Sequence, residues 1–85
     1  MIIFYSPRFK KRYKKLPKYI KELSIRKTDL FIREPFSPQL KTHKLLGELD
    51  GYWAFSVSYS YRVVFKFLDN NTAYFVSIGT HAIYE

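Results

Sequence analysis

Residues 52–79 read YWAFSVSYSYRVVFKFLDNNTAYFVSIG, and their spacing decides the fold. In YWAFSVS (52–58), Trp53, Phe55 and Val57 alternate with Tyr52, Ala54, Ser56 and Ser58. In YRVVFKFL (61–68), Tyr61, Val63, Phe65 and Phe67 alternate with Arg62, Val64, Lys66 and Leu68. A period of two puts successive side chains on opposite faces of a strand. DNNT (69–72) is a cluster of turn formers, and AYFVSIG (73–79) supplies one more strand. The stretch predicts an antiparallel meander with one apolar face that another layer must cover. Just upstream, HKLLGELDG predicts a short strand near Thr42–Leu46 and a turn at Asp50-Gly51.

Towards the N-terminus the period lengthens. IIFYS (2–6) is a short β-rich run, and Ser6-Pro7 fits a helix cap followed by the first helical position, where proline loses nothing by lacking an N–H. Phe9, Tyr13 and Leu16 follow at i, i+4 and i+7, with Arg8, Lys10, Lys11, Arg12, Lys14 and Lys15 on the remaining faces. Pro17 ends this helix and can open the next. Ile20, Leu23, Leu30 and Phe31 give the second helix its apolar stripe, which Lys27 interrupts. Glu34-Pro35 closes it, because a residue before proline is pushed out of the α region. The order is one strand, two helices, then three or four strands. It predicts one α+β domain over residues 1–85, with an antiparallel sheet and an N-terminal helical hairpin on one face.

The composition is consistent with that single domain. Eighty-five residues support one small core, and eight Phe, eight Tyr and one Trp can fill it. With no cysteine, no disulfide or thiolate metal site can staple the fold, which fits a cytoplasmic location. No run approaches membrane-spanning length, and MIIFYSPRFKK lacks a signal-peptide pattern, so a soluble protein without membrane association is expected. The net charge of +8 is unevenly placed. Residues 1–33 hold 11 Lys/Arg and 2 Asp/Glu, and residues 34–85 hold 4 and 5. Such a field attracts polyanions, whether nucleic acid or an acidic protein segment; the plainer alternative is a solvated helix surface. Arg62 and Lys66 share a sheet face, directed away from Tyr61, Val63 and Phe65, and two cations there need solvent or a ligand.

The segments FYSPRFKKRYKKL, HKLLG, YRVVF and GTHA, in that order, resemble the RelE/ParE toxin superfamily of type II toxin–antitoxin systems. They are most similar to its RelE, YoeB and YafQ branch of ribosome-dependent mRNA interferases. HKLLG resembles the family's H-x-L-x-G approach to its second strand, YRVVF the strand bearing an active-site arginine, and GTHA the YafQ terminus with its catalytic histidine. The resemblance implies a RelE-like fold and a toxin that is monomeric when free. Its partners would be the 30S A site, mRNA and an antitoxin with a partly disordered, acidic segment. Lys10, Lys11, Lys14, Lys15 and Lys18 would meet the ribosome or the antitoxin.

The implied chemistry is a metal-free transesterification without a cofactor, in which the 2′-hydroxyl attacks the adjacent phosphorus and expels the 5′-oxygen. It needs a base, an acid and cations for the extra phosphorane charge. His81 would be the acid, since imidazole changes charge near neutral pH, or a surface terminal histidine. Arg62 would clamp the scissile phosphate with its planar fork, or serve as a cross-strand ion-pair partner. Tyr84 would stack on a base or orient the phosphate, or pack on the sheet edge. Lys41, Lys44 and Lys66 would hold flanking phosphates, or be solvated. His43 sits where YafQ has a catalytic histidine and would be the base, or a structural loop histidine. The sequence departs from the branch at Ser56 and Ser60, where YafQ carries a histidine and an aspartate. It departs again at Gln39, near the place of the YoeB glutamate, and Glu48 is several residues from that place. Two histidines without cysteines make a poor zinc site. Two rival functions share the fold: a ParE-like gyrase inhibitor and a non-catalytic basic RNA-binding domain.

Overall fold

A computed structural model describes residues 1–80. Strand β1 (Ile2–Tyr5) leads into helix α1 (Pro7–Lys14) and helix α2 (Lys18–Arg33). Strands β2 (His43–Lys44), β3 (Trp53–Ser56), β4 (Arg62–Asp69) and β5 (Thr72–Gly79) follow, with one 3₁₀ turn at Gly47–Leu49 between β2 and β3. The sheet order is β1-β5-β4-β3-β2. Strands β2 to β5 form the expected antiparallel meander, and β1 pairs with β5 in parallel at the edge. A parallel neighbour needs a long crossover connection: the helical hairpin carries the chain from β1 to the far edge at β2, and the meander returns it to β5 beside β1.

Ser6 fastens the crossover to the sheet. Its hydroxyl accepts from the Phe9 N–H at 2.9 Å, capping α1, and donates to the Val76 carbonyl. Val76 is the extra residue of a bulge, because partners of β4 step from Ser77 opposite Val64 to Phe75 opposite Phe65. One side chain thus satisfies a free helix donor and a carbonyl at the bulge. Helix α1 stops at Lys14, short of the last apolar position of its stripe. Leu16 precedes Pro17, which disfavours α geometry there, yet it still packs against the core.

The helix-side face buries Phe55, Val57, Val63, Phe65, Ala73, Phe75 and Ile78 under Phe9, Ile20 and Phe31. Phe31 lies at the centre, its ring 4.9 Å from Phe55, 4.8 Å from Phe65 and 5.5 Å from Phe75. The opposite face has a small core of its own in Leu45, Ala54 and Val64, flanked by Leu49 and Tyr52. The 3₁₀ turn folds these over the sheet, with Gly47 (φ 73°) and Gly51 (φ 93°) in left-handed conformations at its two ends. Among the described residues no helix is long and apolar enough to cross a membrane.

Candidate functional site

The loop between α2 and β2 contains no regular structure, yet it is firmly anchored. Leu40 is fully buried, and its carbonyl accepts from the Ser56 N–H at 2.7 Å. The Thr42 hydroxyl donates to the Pro35 carbonyl. Lys41, next to Leu40, adopts a left-handed backbone (φ 52°), which a side-chain-bearing residue holds only where its surroundings enforce it. These anchors place Gln39 and Lys41 against the end of β3.

Across from them, Ser56 pairs with Arg62, and Arg62 pairs with Gly79, the last residue of β5. The β3–β4 turn is closed by N–H groups of Val57 and Ser58 donating to the Tyr61 carbonyl at 2.9 and 3.2 Å, and by the Tyr61 N–H donating to Ser58 Oγ at 3.2 Å. Arg62 Nη1 donates to the Tyr59 carbonyl at 3.3 Å, which directs the guanidinium along the turn.

Loop, strand ends and turn enclose a hollow of about 320 Å³. Three cations line it, Arg62, Lys41 and Lys27, together with Gln39 and the serines Ser56 and Ser58. No carboxylate is among the described residues lining it. Three positive charges around one concavity, with no carboxylate beside them among the described residues, favour an anion there, where a low-dielectric wall strengthens the field. Arg62 brings a planar fork suited to phosphate oxygens, and the lysines bring compact point charges.

Arg62 and Lys41 therefore meet, and with them Gln39 and Ser56, two positions at which the sequence departs from the branch it resembles. Lys27 was missed. In the sequence it merely breaks an apolar stripe, and only the packing of α2 brings it to the hollow. The other expected residues stand apart. His43 is exposed and pairs with Ala54, so it shares the Arg62 face. It sits two strands and two residues away, about 12 Å by sheet spacing, with Nδ1 2.8 Å from the Lys41 carbonyl. Lys44 pairs with Trp53 and stands over its ring at 5.5 Å, on the helix side. Lys66 shares the Arg62 face as expected, but stands 5.0 Å over the Tyr52 ring, beyond Val64. Both lysines thus make cation–π contacts and neither lines the hollow. Ser60, on the turn, and Glu48, on the 3₁₀ turn, are exposed. His81 and Tyr84 lie outside the described residues.

The basic helices form a second feature. Tyr5, Phe9 and Tyr13 face Ile25 and Ile32 across an apolar groove of about 640 Å³, rimmed by Lys10 and Lys14. Burial, then the neighbouring Tyr13 and Asp29, raises the Tyr5 phenol above its ordinary pKa. Lys11, Lys15 and Lys18 are exposed nearby in sequence, and the groove shares no lining residue with the Arg62 hollow.

Residues 3–83 match the family model described as ParE toxin of the type II toxin–antitoxin system parDE. Among solved structures, YafQ from E. coli strain BL21(DE3) is 27% identical over 96% of this chain and 94% of its own, with a TM-score of 0.79. The YoeB/ParE toxin from Agrobacterium tumefaciens is 18% identical over 95% and 99%, also with a TM-score of 0.79. The toxin–antitoxin complex RelBE2 from Mycobacterium tuberculosis contains a chain 18% identical over 94% and 96%, again at 0.79. No curated protein matches the sequence.

Proposed function

The chain belongs to the ParE toxin family of type II toxin–antitoxin systems, and we propose that its toxicity comes from cutting mRNA in the 30S A site. The observation that carries this reading is the hollow lined by Lys27, Lys41 and Arg62. A pentavalent phosphorane carries more negative charge than the phosphodiester it forms from, so preformed cations favour the transition state over the ground state. Arg62 clamps the non-bridging oxygens, and Lys41 and Lys27 add charge behind it. The 2′-oxygen forms a bond to phosphorus as the bond to the 5′-oxygen breaks. His43 takes the 2′ proton, and His81 gives one to the departing 5′-oxygen. His81 follows by two residues the Gly79 that pairs with Arg62, so the strand end supports this assignment. Tyr84 orients the nucleotide, and Lys66, on the Arg62 face, attracts flanking phosphates at longer range.

Primer extension on mRNA from expressing cells tests the proposal. Codon-positioned cuts that vanish in Arg62→Ala and His81→Ala support it. Trapped gyrase cleavage complexes with intact mRNA would instead establish the gyrase-inhibitor function, and neither effect would leave a binding domain without nuclease chemistry.

As a type II toxin the chain has a cognate antitoxin. The groove rimmed by Lys10 and Lys14 suits an amphipathic, acidic antitoxin segment, with apolar anchors between Tyr13 and Ile25. The same lysine-rich helix suits ribosomal RNA. The triple variant Lys10→Ala/Lys11→Ala/Lys14→Ala is expected to weaken ribosome affinity and to flatten its log–log salt dependence by about 2, at roughly 0.7–0.9 per phosphate contact. Turnover at saturating ribosome should not change, and a titration of rate against ribosome at several salt concentrations separates the two effects.

A further inference from the structure

We propose that Tyr59 is a stacking platform for an RNA base next to the phosphate held at Arg62; this rests on the mRNA-cutting reading above. Tyr59 is 95% exposed, more than any other large apolar side chain among the described residues. An isolated surface tyrosine needs no explanation, but three further observations set this one apart. It lines the same hollow as Arg62 and Lys41. Its turn is pinned by the hydrogen bonds of Val57, Ser58 and Tyr61. Its own carbonyl accepts the Arg62 guanidinium at 3.3 Å, so the phenol and the phosphate clamp share one rigid support.

The position of the ring gives it its task. With a phosphate against Arg62, a nucleoside attached to that phosphate can reach the exposed ring of Tyr59 on the same hollow. A single-stranded base gains from a flat apolar partner, and a tyrosine with two side-chain torsions offers one at low entropic cost. Every base has a π-face, so the contact positions the nucleotide without selecting its identity.

The test uses the full-length protein and ribosomes programmed with mRNA whose A-site riboses are 2′-O-methylated, so that binding is read without cleavage. Dissociation constants are measured for the wild type, Tyr59→Ala, Tyr59→Trp and Arg62→Ala, on intact mRNA and on mRNAs carrying one abasic residue at each A-site position in turn. Tyr59→Ala is expected to bind intact mRNA complexes about tenfold more weakly, within the range for losing one stacked base, and Tyr59→Trp to bind at least as well as the wild type. At one abasic position the wild type should fall to the Tyr59→Ala level and the alanine variant should lose nothing more. If Tyr59→Ala binds like the wild type while Arg62→Ala is weakened, stacking is overturned and the hollow keeps its role. If neither variant is weakened, the stacking and the mRNA-cutting assignment fall together. If Tyr59→Ala is weakened equally at every abasic position, the ring touches the ribosome instead of a base, which also overturns the proposal.

Discussion

Arg62→Ala is expected to lower single-turnover cleavage on programmed ribosomes by about 10²–10³-fold, the range seen when a preorganised donor to a developing oxyanion is removed. The expectation follows from its position. Arg62 opens β4 opposite both Ser56 and Gly79, so strands on both sides fix its backbone. The Tyr59 carbonyl engages one of its five N–H donors, which aims the fork without exhausting it. Lys41 and Lys27 remain in the hollow in the variant, and that leaves residual activity above background. Arg62→Lys keeps the charge and loses the planar pair of donors, so it should fall between the wild type and alanine. The side chain is half-buried, and its removal creates no core cavity. The melting temperature should therefore stay within about 4 °C, as for most surface substitutions in a domain this small. A large drop in melting temperature together with the loss of cleavage would make Arg62 a support of the β3–β4 turn, not a phosphate clamp. Cleavage within twofold of wild type would remove the hollow from the chemistry altogether.

The sequence made the sheet legible because its period-two stretches are long. Phe55, Val63 and Phe65 do fall on one face, and Arg62, Val64 and Lys66 on the other. The Ser6-Pro7 cap was equally readable, since its partners lie within one helical turn. What escaped depends on pairing between distant segments. The parallel pairing of β1 with β5 has no local signature in IIFYS. The bulge at Val76 cannot be placed without the opposing strand. Lys44 shows the same limit: its face is set by pairing with Trp53, and one step of register would have put it on the Arg62 face. Lys27 shows the converse, a break in an apolar stripe that becomes meaningful only once α2 is packed. Of the candidate site, the family-motif positions Gln39, Lys41, Ser56 and Arg62 were found together. His43 shares the Arg62 face but lies outside the hollow, and no local pattern in the sequence assigned it a face.

Phe31→Ala is expected to cost about 3–5 kcal/mol, most of the stability available to a domain of this size. Phe31 is fully buried and is the one helix ring surrounded by Phe55, Phe65 and Phe75 from three neighbouring strands, with Phe67 at 6.1 Å. Those rings stand on paired strands and cannot close the cavity without breaking register, so little of the loss is recovered by relaxation. At about 4–8 °C per kcal/mol the melting temperature should fall by about 12–40 °C. Phe36 provides the control: it contacts Trp53 and Phe67 but is 60% exposed, and Phe36→Ala should cost under about 1 kcal/mol. The consequence reaches the hollow through Leu40, which packs in the same cluster and whose carbonyl holds the Ser56 N–H. If the core holds Gln39 and Lys41 in place, Phe31→Leu should lose cleavage even at temperatures where it remains folded. Equal melting temperatures for Phe31→Ala and Phe36→Ala would mean that the exposed margin of this sheet face carries as much load as its centre, and that the helix hairpin is not what fixes the loop beside Arg62.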